Sequence, residues 1–269
     1  MSKLYRINPV AGLSALVLTA AVAACGESRS PEEGVVLAQA TPAPVTEPVT
    51  TTTDTNTTPV TVEFKNVKYG DAETVFRKGH YQEATQMFTS FVVENPEHVQ
   101  GHYMLGLSAW KSGDHGTAEQ ALLRAVEMDS GNVKARTNLG RVQLELGRAG
   151  DALPQVEKAL ELKPESYEIW RVLGNVKAEL GRSEEALDAY RQALVRNEKD
   201  SWSMNNYGLV LIKLGRHEEA LPALARAVEL NPRSPVFQNN LGVVLEQLDE
   251  LGGAKKAFSS ALEADSTYA

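Results

Sequence analysis

A period of 34 residues runs through the C-terminal three quarters of the chain, with repeats that begin at residues 65, 99, 133, 167, 201 and 235. Repeat position 20 is alanine in every repeat, and position 8 is glycine in five of the six. Position 24 always carries a large apolar residue, and position 15 is glycine in five repeats. A fixed period of this length means one structural unit stacked on copies of itself, so the period constrains the fold more than any other feature.

The residue types at these positions predict two antiparallel helices in each repeat. Small residues at positions 8 and 20 let two helix axes approach closely, because a larger side chain would hold them apart. Glycine at position 15 tolerates the positive φ that ends a helix, and proline at position 32 of three repeats stops the second helix. Each helix pair buries its apolar faces only against neighbouring pairs, so the repeats are expected to stack into a superhelix.

The pattern is strongly similar to the tetratricopeptide repeat, and whole segments such as YEIWRVLGNVKAELGRSEEALDAYRQAL match it. The resemblance implies an all-α domain over residues 63–269, namely a right-handed α-solenoid of six 34-residue helix-turn-helix repeats. The first repeat departs from the pattern, because Lys68 and Asp71 stand where apolar residues are usual. This departure predicts a weak opening helix.

The sixth repeat also departs from the pattern. It has Asp249 in place of the turn glycine, and Gly252 and Gly253 begin its second helix. Each of these two glycines costs about 1 kcal/mol relative to alanine in a helix. No polar capping helix follows Leu262, although solenoids usually need one. We therefore expect the last helix to be loosely held or covered by a partner, which suggests a homo-oligomer formed through it.

The first 24 residues predict a bacterial lipoprotein signal peptide. Lys3 and Arg6 form a positive start, and the apolar run that follows is shorter than the ~20 residues of a membrane-spanning helix. The letters VAAC at residues 22–25 resemble a lipobox, which implies cleavage before Cys25 and attachment of lipid to its sulfur. A plain secretory signal is the alternative, but Cys25 is the only cysteine in the chain. Since Gly26 follows instead of aspartate, the resemblance implies the outer membrane, on the side facing the periplasm, rather than the inner membrane.

Residues 25–62 differ in composition from the repeats. Proline and threonine dominate, as in TPAPVTEPVTTTTDTNTTPV, and no periodic apolar pattern is present. Such a segment cannot bury enough apolar surface to offset the entropy of ordering it, so we expect a lipidated N-terminus followed by a disordered linker. The favoured role is a spacer between the membrane and the repeats, and O-glycosylation of the Thr/Pro tract is the alternative.

In the tetratricopeptide repeat family, the first helix of each repeat lines a concave groove. The resemblance therefore implies a peptide-binding groove here, with ten candidate residues: Tyr103, Trp110, Lys134, Arg141, Arg171, Asn175, Trp202, Asn205, Asn206 and Asn239. Tryptophan, tyrosine and arginine are the residue types enriched at binding hot spots. Packing between repeats is an equal alternative for Trp110, whereas Trp202 is the favoured groove residue.

Some members of the family clamp the C-terminal carboxylate of a partner protein. Arg171, Asn175 and Asn206 match the first three positions of that clamp, but Val236 and Asn240 stand where two basic side chains belong. Binding of chaperone tails is therefore not expected. The asparagines at repeat position 6 suit hydrogen bonding to an extended peptide backbone, or a structural role within the repeats.

No motif for catalysis, phosphate binding or a cofactor occurs in the sequence, so neither an enzymatic activity nor a cofactor is expected. His98 and His102 have the spacing of two metal ligands on one helical face, but no third ligand is close in sequence, so no metal site is predicted. The formal net charge of −8 repels phosphate backbones, which argues against nucleic acid as a partner.

These features together predict a non-enzymatic scaffold that binds protein partners and reaches the membrane only through a lipid anchor. A signal peptide, a lipidated cysteine and tetratricopeptide repeats resemble the architecture of type IV and Flp pilus-assembly lipoproteins. That resemblance implies help in assembling a multiprotein machine such as a pilus or secretion apparatus. The alternative is a docking regulator of peptidoglycan enzymes.

Overall fold

The computed structural model describes residues 64–264, and every regular element in that range is an α-helix. The helices are α1 Tyr69–Arg77, α2 Tyr81–Glu94, α3 Val99–Ser112, α4 His115–Met128, α5 Val133–Glu145, α6 Ala149–Leu162, α7 Tyr167–Glu179, α8 Ser183–Arg196, α9 Ser201–Lys213, α10 His217–Leu230, α11 Pro235–Gln247 and α12 Leu251–Ala264. The predicted all-α solenoid is confirmed. The predicted signal peptide (1–24), Cys25 and the linker (25–62) lie outside the described residues.

Consecutive helices pair into six repeats. Helices α3, α5, α7, α9 and α11 begin at the first residue of repeats two to six, and each packs against the helix that follows it. The turn between the two helices needs a residue in the left-handed region, as at Gly181, where φ is 74°. In the sixth repeat Asp249 takes that place with a φ of 59°. The left-handed conformation costs an L-residue about 1–2 kcal/mol, so this turn is less favourable than the others.

The small residue at position 8 sets how closely the two helices of a repeat approach. A Cβ atom added at Gly174 would lie 2.4 Å from Cε1 of Tyr190. Tyr190 is one of the largest fully buried side chains, so it has no space into which to move. Glycine is therefore required here by packing, as the repeat pattern predicts.

The two ends of the array differ from its middle. Helix α1 has 9 residues, and Lys68 lies before its first turn as the N-cap residue. Helix α12 spans 14 residues despite its two glycines, but it buries only Ala254 and Ala257. Leu251 and Leu262 on α12 are 64% and 67% exposed. The last helix of the described residues thus leaves part of its apolar surface uncovered.

The odd-numbered helices form the inner face of the solenoid. Cα atoms of each odd-numbered helix come within 8 Å of the next odd-numbered helix along the whole series. Cα atoms of successive even-numbered helices never approach so closely within residues 64–264. A stack whose first helices touch while its second helices splay apart must curve toward the first helices. The candidate groove residues therefore lie on the helices of the concave side, called the inner face below.

None of the helices within residues 64–264 combines the length and the hydropathy that crossing a membrane requires.

Candidate functional site: the inner face

The structure places the ten candidate groove residues at three depths. Lys134 and Asn239 are exposed, and Asn205 is fully buried. The remaining seven are half-buried: Tyr103, Trp110, Arg141, Arg171, Asn175, Trp202 and Asn206. Lys134 and Asn239 are thus the most accessible of the ten to a partner, and the half-buried side chains offer part of their surface.

Four asparagines form a hydrogen-bonded row, called the asparagine chain, across repeats four to six. Asn240 Nδ2 donates to Asn205 Oδ1 at 2.8 Å, and Asn205 Nδ2 donates to Asn206 Oδ1 at 3.1 Å. Asn206 Nδ2 then donates to Asn175 Oδ1 at 2.9 Å, and the Tyr190 hydroxyl donates to the same oxygen at 2.8 Å. Burial raises the pKa of Tyr190 well above its usual value, so this hydroxyl remains a neutral donor.

The asparagine chain changes the interpretation of Asn205. The repeat pattern predicts its side chain in the groove, but the residue is 0% exposed. Both the amide oxygen and the amide nitrogen of its side chain form hydrogen bonds with neighbouring asparagines. Helix α11 brings Asn240 onto this position, which removes it from the surface. Asn205 therefore holds repeats five and six together and is not accessible to a peptide.

Arg171 is committed to an ion pair within the solenoid. Its Nη1 atom lies 2.6 Å from Oδ1 of Asp200, the buried residue that precedes α9. The other carboxylate oxygen of Asp200 accepts from the Ser203 hydroxyl at 2.5 Å. Two residues of the incomplete carboxylate clamp, Asn175 and Asn206, likewise bond each other. Arg171 is thus satisfied by Asp200, while Asn175 and Asn206 satisfy each other across the boundary between repeats four and five.

Trp110 makes the contacts of a packing residue. Its Nε1 atom donates to Glu145 Oε2 at 2.7 Å, and its ring packs against the apolar cluster formed by repeats two and three. His115 Nε2 lies 2.9 Å from the same carboxylate oxygen. Of the two alternatives for Trp110, these contacts favour packing between repeats, although the ring keeps a half-buried edge.

Trp202 combines packing with an available polar group. Its ring meets Phe237 of the next repeat edge-to-face, with the ring centroids 4.8 Å apart. The indole N–H makes no hydrogen bond to any other residue that the structure describes. An aromatic side chain held rigidly by one neighbour, with a free donor, is well suited to anchor a partner.

Arg141 lies near the middle of the described repeats, on α5. Its Nη1 atom donates to Asn138 Oδ1 at 3.2 Å, and Asn138 Nδ2 donates to the Tyr103 hydroxyl oxygen at 3.2 Å. Burial lowers the pKa of Arg141, and the nearby guanidinium of Arg171 lowers it further. Arginine stays protonated despite such shifts, so the inner face carries a partly desolvated positive charge at this point.

The paired histidines have other partners. His98 Nδ1 accepts from the backbone N–H of Gly101 at 2.9 Å and so caps α3. His102 Nε2 lies 2.8 Å from the carbonyl oxygen of Pro96. Across residues 64–264 no three side chains of the metal-binding types come together. These two rings therefore serve the turn between repeats one and two.

Two acidic residues shape the inner face, and one of them, Asp200, was not expected from the sequence to face the groove. Asp200 neutralises Arg171, and Glu145 accepts from Trp110 Nε1 and lies 2.9 Å from His115 Nε2. Asp200 could have been suspected from its place before a helix, where acidic N-cap residues are common. Its partner Arg171 could not, because residues 171 and 200 meet only when α9 packs beside α7.

Comparison with known proteins agrees with this architecture. The sequence profile described as tetratricopeptide repeat matches residues 69–133, 137–201 and 208–269, and a second profile with that description matches residues 189–221. No curated protein sequence matches the chain.

Several solved structures share the fold. TTC0263, a thermophilic TPR protein of Thermus thermophilus, is 24% identical over 62% of this chain and 91% of that chain, with a TM-score of 0.56. MamA of AMB-1 is 26% identical over 61% of this chain and 96% of that chain, with a TM-score of 0.54. YrrB, described as a TPR protein with an unusual peptide-binding site, is 24% identical over 67% of this chain and 93% of that chain, with a TM-score of 0.50. Since the family profile covers well over half of the sequence, the chain belongs to the tetratricopeptide repeat family.

Proposed function

We propose that this chain is a non-enzymatic scaffold that binds partner proteins on its inner face and holds them at the bacterial envelope. The observation that carries the proposal is the set of inner-face side chains whose bonding capacity is not used within residues 64–264. Lys134 and Arg141 make no ion pair there, and the Trp202 indole N–H makes no hydrogen bond. Polar groups of this kind, beside rigid aromatic rings, are what a protein partner recognises.

The form of the inner face indicates the form of the partner. Its polar and aromatic groups lie on successive odd-numbered helices, from Tyr103 on α3 to Asn239 on α11. A ligand that contacts them together must be elongated, so an extended peptide segment or a single helix fits. The description of YrrB as having a peptide-binding site is consistent with this proposal.

The N-terminal sequence supports an envelope location. Cys25 follows an apolar signal-like segment, and a Thr/Pro-rich linker separates it from the repeats. Two or three acyl chains anchor a protein stably where one does not. We propose an outer-membrane lipoprotein facing the periplasm, which assists assembly of a pilus or secretion apparatus. Docking of peptidoglycan enzymes is the second candidate.

Site-specific photocrosslinking in cells tests both the face and the partner. A photoreactive amino acid replaces exposed Lys134 or Asn239 on the inner face, and Val195, which is 74% exposed on α8, provides the matched control. These positions are preferable to Arg171, whose removal would leave the buried Asp200 carboxylate without its cation.

The products separate the two candidates. A pilus or secretin component captured only from the inner-face positions supports the assembly role, whereas capture of wall enzymes supports the docking role. Equal capture from Val195 would show that the inner face is not the binding surface.

The anchor is tested by a separate experiment. Cells that produce the wild-type chain or Cys25→Ser are given a labelled fatty acid, and their membranes are then separated. We expect label and outer-membrane sedimentation for the wild type, and neither for the variant. Label in the inner-membrane fraction alone would contradict the outer-membrane proposal.

We also propose that α12 takes part in self-association, because Leu251 and Leu262 leave apolar surface uncovered there. Light scattering of the wild type and of Leu262→Glu tests this directly. A wild-type mass equal to that of one chain at high concentration would refute it.

A further inference from the structure

Arg141 is a half-buried cation for which the described part of the chain supplies no anion. Its guanidinium makes a single hydrogen bond to a side chain, from Nη1 to Asn138 Oδ1 at 3.2 Å. No carboxylate oxygen within residues 64–264 lies within 4.0 Å of it. A guanidinium has five N–H donors, so most of its donors remain unused within this range.

The acids that approach Arg141 are engaged by other groups. Glu145 follows Arg141 by one helical turn, but its Oε2 atom faces Trp110 Nε1 at 2.7 Å and His115 Nε2 at 2.9 Å. Glu168 on α7 accepts from the Ser166 hydroxyl at 2.7 Å. Arg141 therefore has no ion pair because the nearby acidic side chains bond other groups, and not because acids are missing from its surroundings.

Arg171 on α7 is a second guanidinium whose charge acts on Arg141. Burial lowers the pKa of Arg141 most, and the like charge of Arg171 lowers it further. The charges of Glu168 and Glu145 oppose this shift but do not cancel it. Asp200 neutralises Arg171, because its Oδ1 atom accepts a hydrogen bond from Arg171 Nη1 at 2.6 Å. No carboxylate in the described residues accepts a hydrogen bond from Arg141 in the same way. An anion that binds Arg141 would therefore relieve an unfavourable arrangement as well as form new hydrogen bonds.

Two further groups on the inner face would favour the same ligand. Lys134 lies two helical turns before Arg141 on α5, is exposed, and makes no ion pair in the described residues. On α3, the Tyr103 hydroxyl accepts from Asn138 and donates to no residue that the structure describes. Lys134 and Arg141 are together called the basic centre below. They form a local positive site on a chain whose net charge is −8.

We propose that the basic centre binds side-chain carboxylates of an extended acidic segment in a partner protein. The proposal deepens the function given above and rests on it, since the basic centre can bind an acidic segment of a partner only if the inner face binds partners. A planar carboxylate can accept two parallel N–H bonds from a guanidinium, which gives direction as well as strength. Arg141 and Lys134 on one face of α5 would engage two acidic residues spaced along the segment.

Selection from displayed random peptides tests the proposal and does not require the partner to be identified. The full chain is immobilised and challenged with two libraries, one fused through the peptide C-terminus and one with a free terminal carboxylate. We expect Asp and Glu to be enriched in peptides selected from the first library by the wild type. The same selection on Arg141→Gln should still yield peptides, but without acidic enrichment.

Each outcome assigns success or failure to one of the two proposals. No selected peptide for the wild type would contradict the proposed binding function itself. Selected peptides without acidic residues, or acidic enrichment that survives in Arg141→Gln, would overturn the basic centre and leave peptide binding intact. Enrichment only in the library with free carboxyl termini would replace side-chain recognition by terminal-carboxylate recognition and so also overturn it.

Titration of one selected peptide gives the magnitude. Replacing its acidic residue by the matching amide should weaken binding to the wild type roughly tenfold to a hundredfold, the range for a hydrogen bond to a charged group. The same replacement should have little effect on Arg141→Gln, and Arg141→Lys should retain part of the preference. Arg226→Gln removes an exposed arginine from α10 and should bind both peptides as the wild type does. An equal loss in Arg226→Gln would indicate a general charge effect and refute the assignment.

Discussion

Asn205 offers the sharpest test of how the repeats are held together. Its Oδ1 atom accepts from Asn240 on α11, and its Nδ2 atom donates to Asn206 on α9, which in turn bonds Asn175 on α7. The side chain is 0% exposed, so water cannot replace either partner. We expect Asn205→Ala to weaken the contact between repeats five and six and to lower the free energy of unfolding.

The magnitude follows from the groups involved. Two hydrogen bonds are lost, each with a net value of about 1 kcal/mol. The Asn240 amide, which is also buried, loses its acceptor, and an unsatisfied buried group costs about 1–3 kcal/mol. Because these two effects overlap, a total of about 2–4 kcal/mol is expected. Repeats contact only their neighbours, so the loss should fall on the sixth repeat first.

Urea unfolding followed by circular dichroism measures the effect. Asn205→Ala should lower the midpoint and broaden the transition, because the sixth repeat then unfolds before the rest. Asn239→Ala provides the control, since Asn239 is exposed on the adjoining helix. A surface change of that kind should alter stability by no more than about 0.5 kcal/mol.

A double-mutant cycle decides whether the asparagine chain acts as a unit. In Asn205→Ala with Asn240→Ala, the buried amide that the single change leaves unsatisfied is gone. The double variant should therefore cost less than the sum of the single variants, by about 1 kcal/mol. Strictly additive effects, or an Asn205→Ala variant as stable as Asn239→Ala, would refute the reasoning.

Three further changes test other parts of the fold. Gly174→Ala should destabilise by about 1–3 kcal/mol, since its Cβ would meet Tyr190 at 2.4 Å, whereas Gly150→Ala, with open space around it, should not; urea midpoints compare them. Asp249→Gly should raise the thermal midpoint, because glycine adopts the left-handed φ at this position without the cost of about 1 kcal/mol that aspartate has there. Hydrogen bonds from Thr117 lower the pKa of Asp114, so its stabilising effect is present above the unfolded pKa of about 4 and is lost as pH falls through the lower folded value. The stability difference between about pH 7 and pH 3 should shrink in Asp114→Asn.

The local structure of the repeats follows from the sequence. The 34-residue period, alanine at position 20 and glycine at position 8 are sufficient to predict paired helices and their close approach. This works because helix pairing within a repeat depends on residues at most one repeat apart, whose spacing is directly visible. The missing turn glycine at Asp249 is equally visible in the sequence. Because the turn requires a positive φ whichever residue occupies it, the structure has the same turn there with a φ of 59°.

The candidate site was only partly predictable. Membership of the inner face follows from position in the repeat, and Lys134 and Asn239 are indeed exposed there. Asn205 was predicted for the same face but is buried, because helix α11 packs over it. The sequence contains no signal for this difference, since repeat position 5 carries both Asn205 and Asn239.

What the sequence by itself determined is the fold class, the repeat boundaries that the helices follow, and the chemical types available on each helix. Tertiary structure alone decided which of those groups are already satisfied. Trp110 of repeat two meets Glu145 of repeat three, and Arg171 on α7 meets Asp200 at the start of α9. Arg141 forms no ion pair within the described residues, although Glu145 and Glu168 lie near it. The physical reason is that these contacts depend on how far successive repeats rotate against each other, and that rotation results from the packing of the whole array.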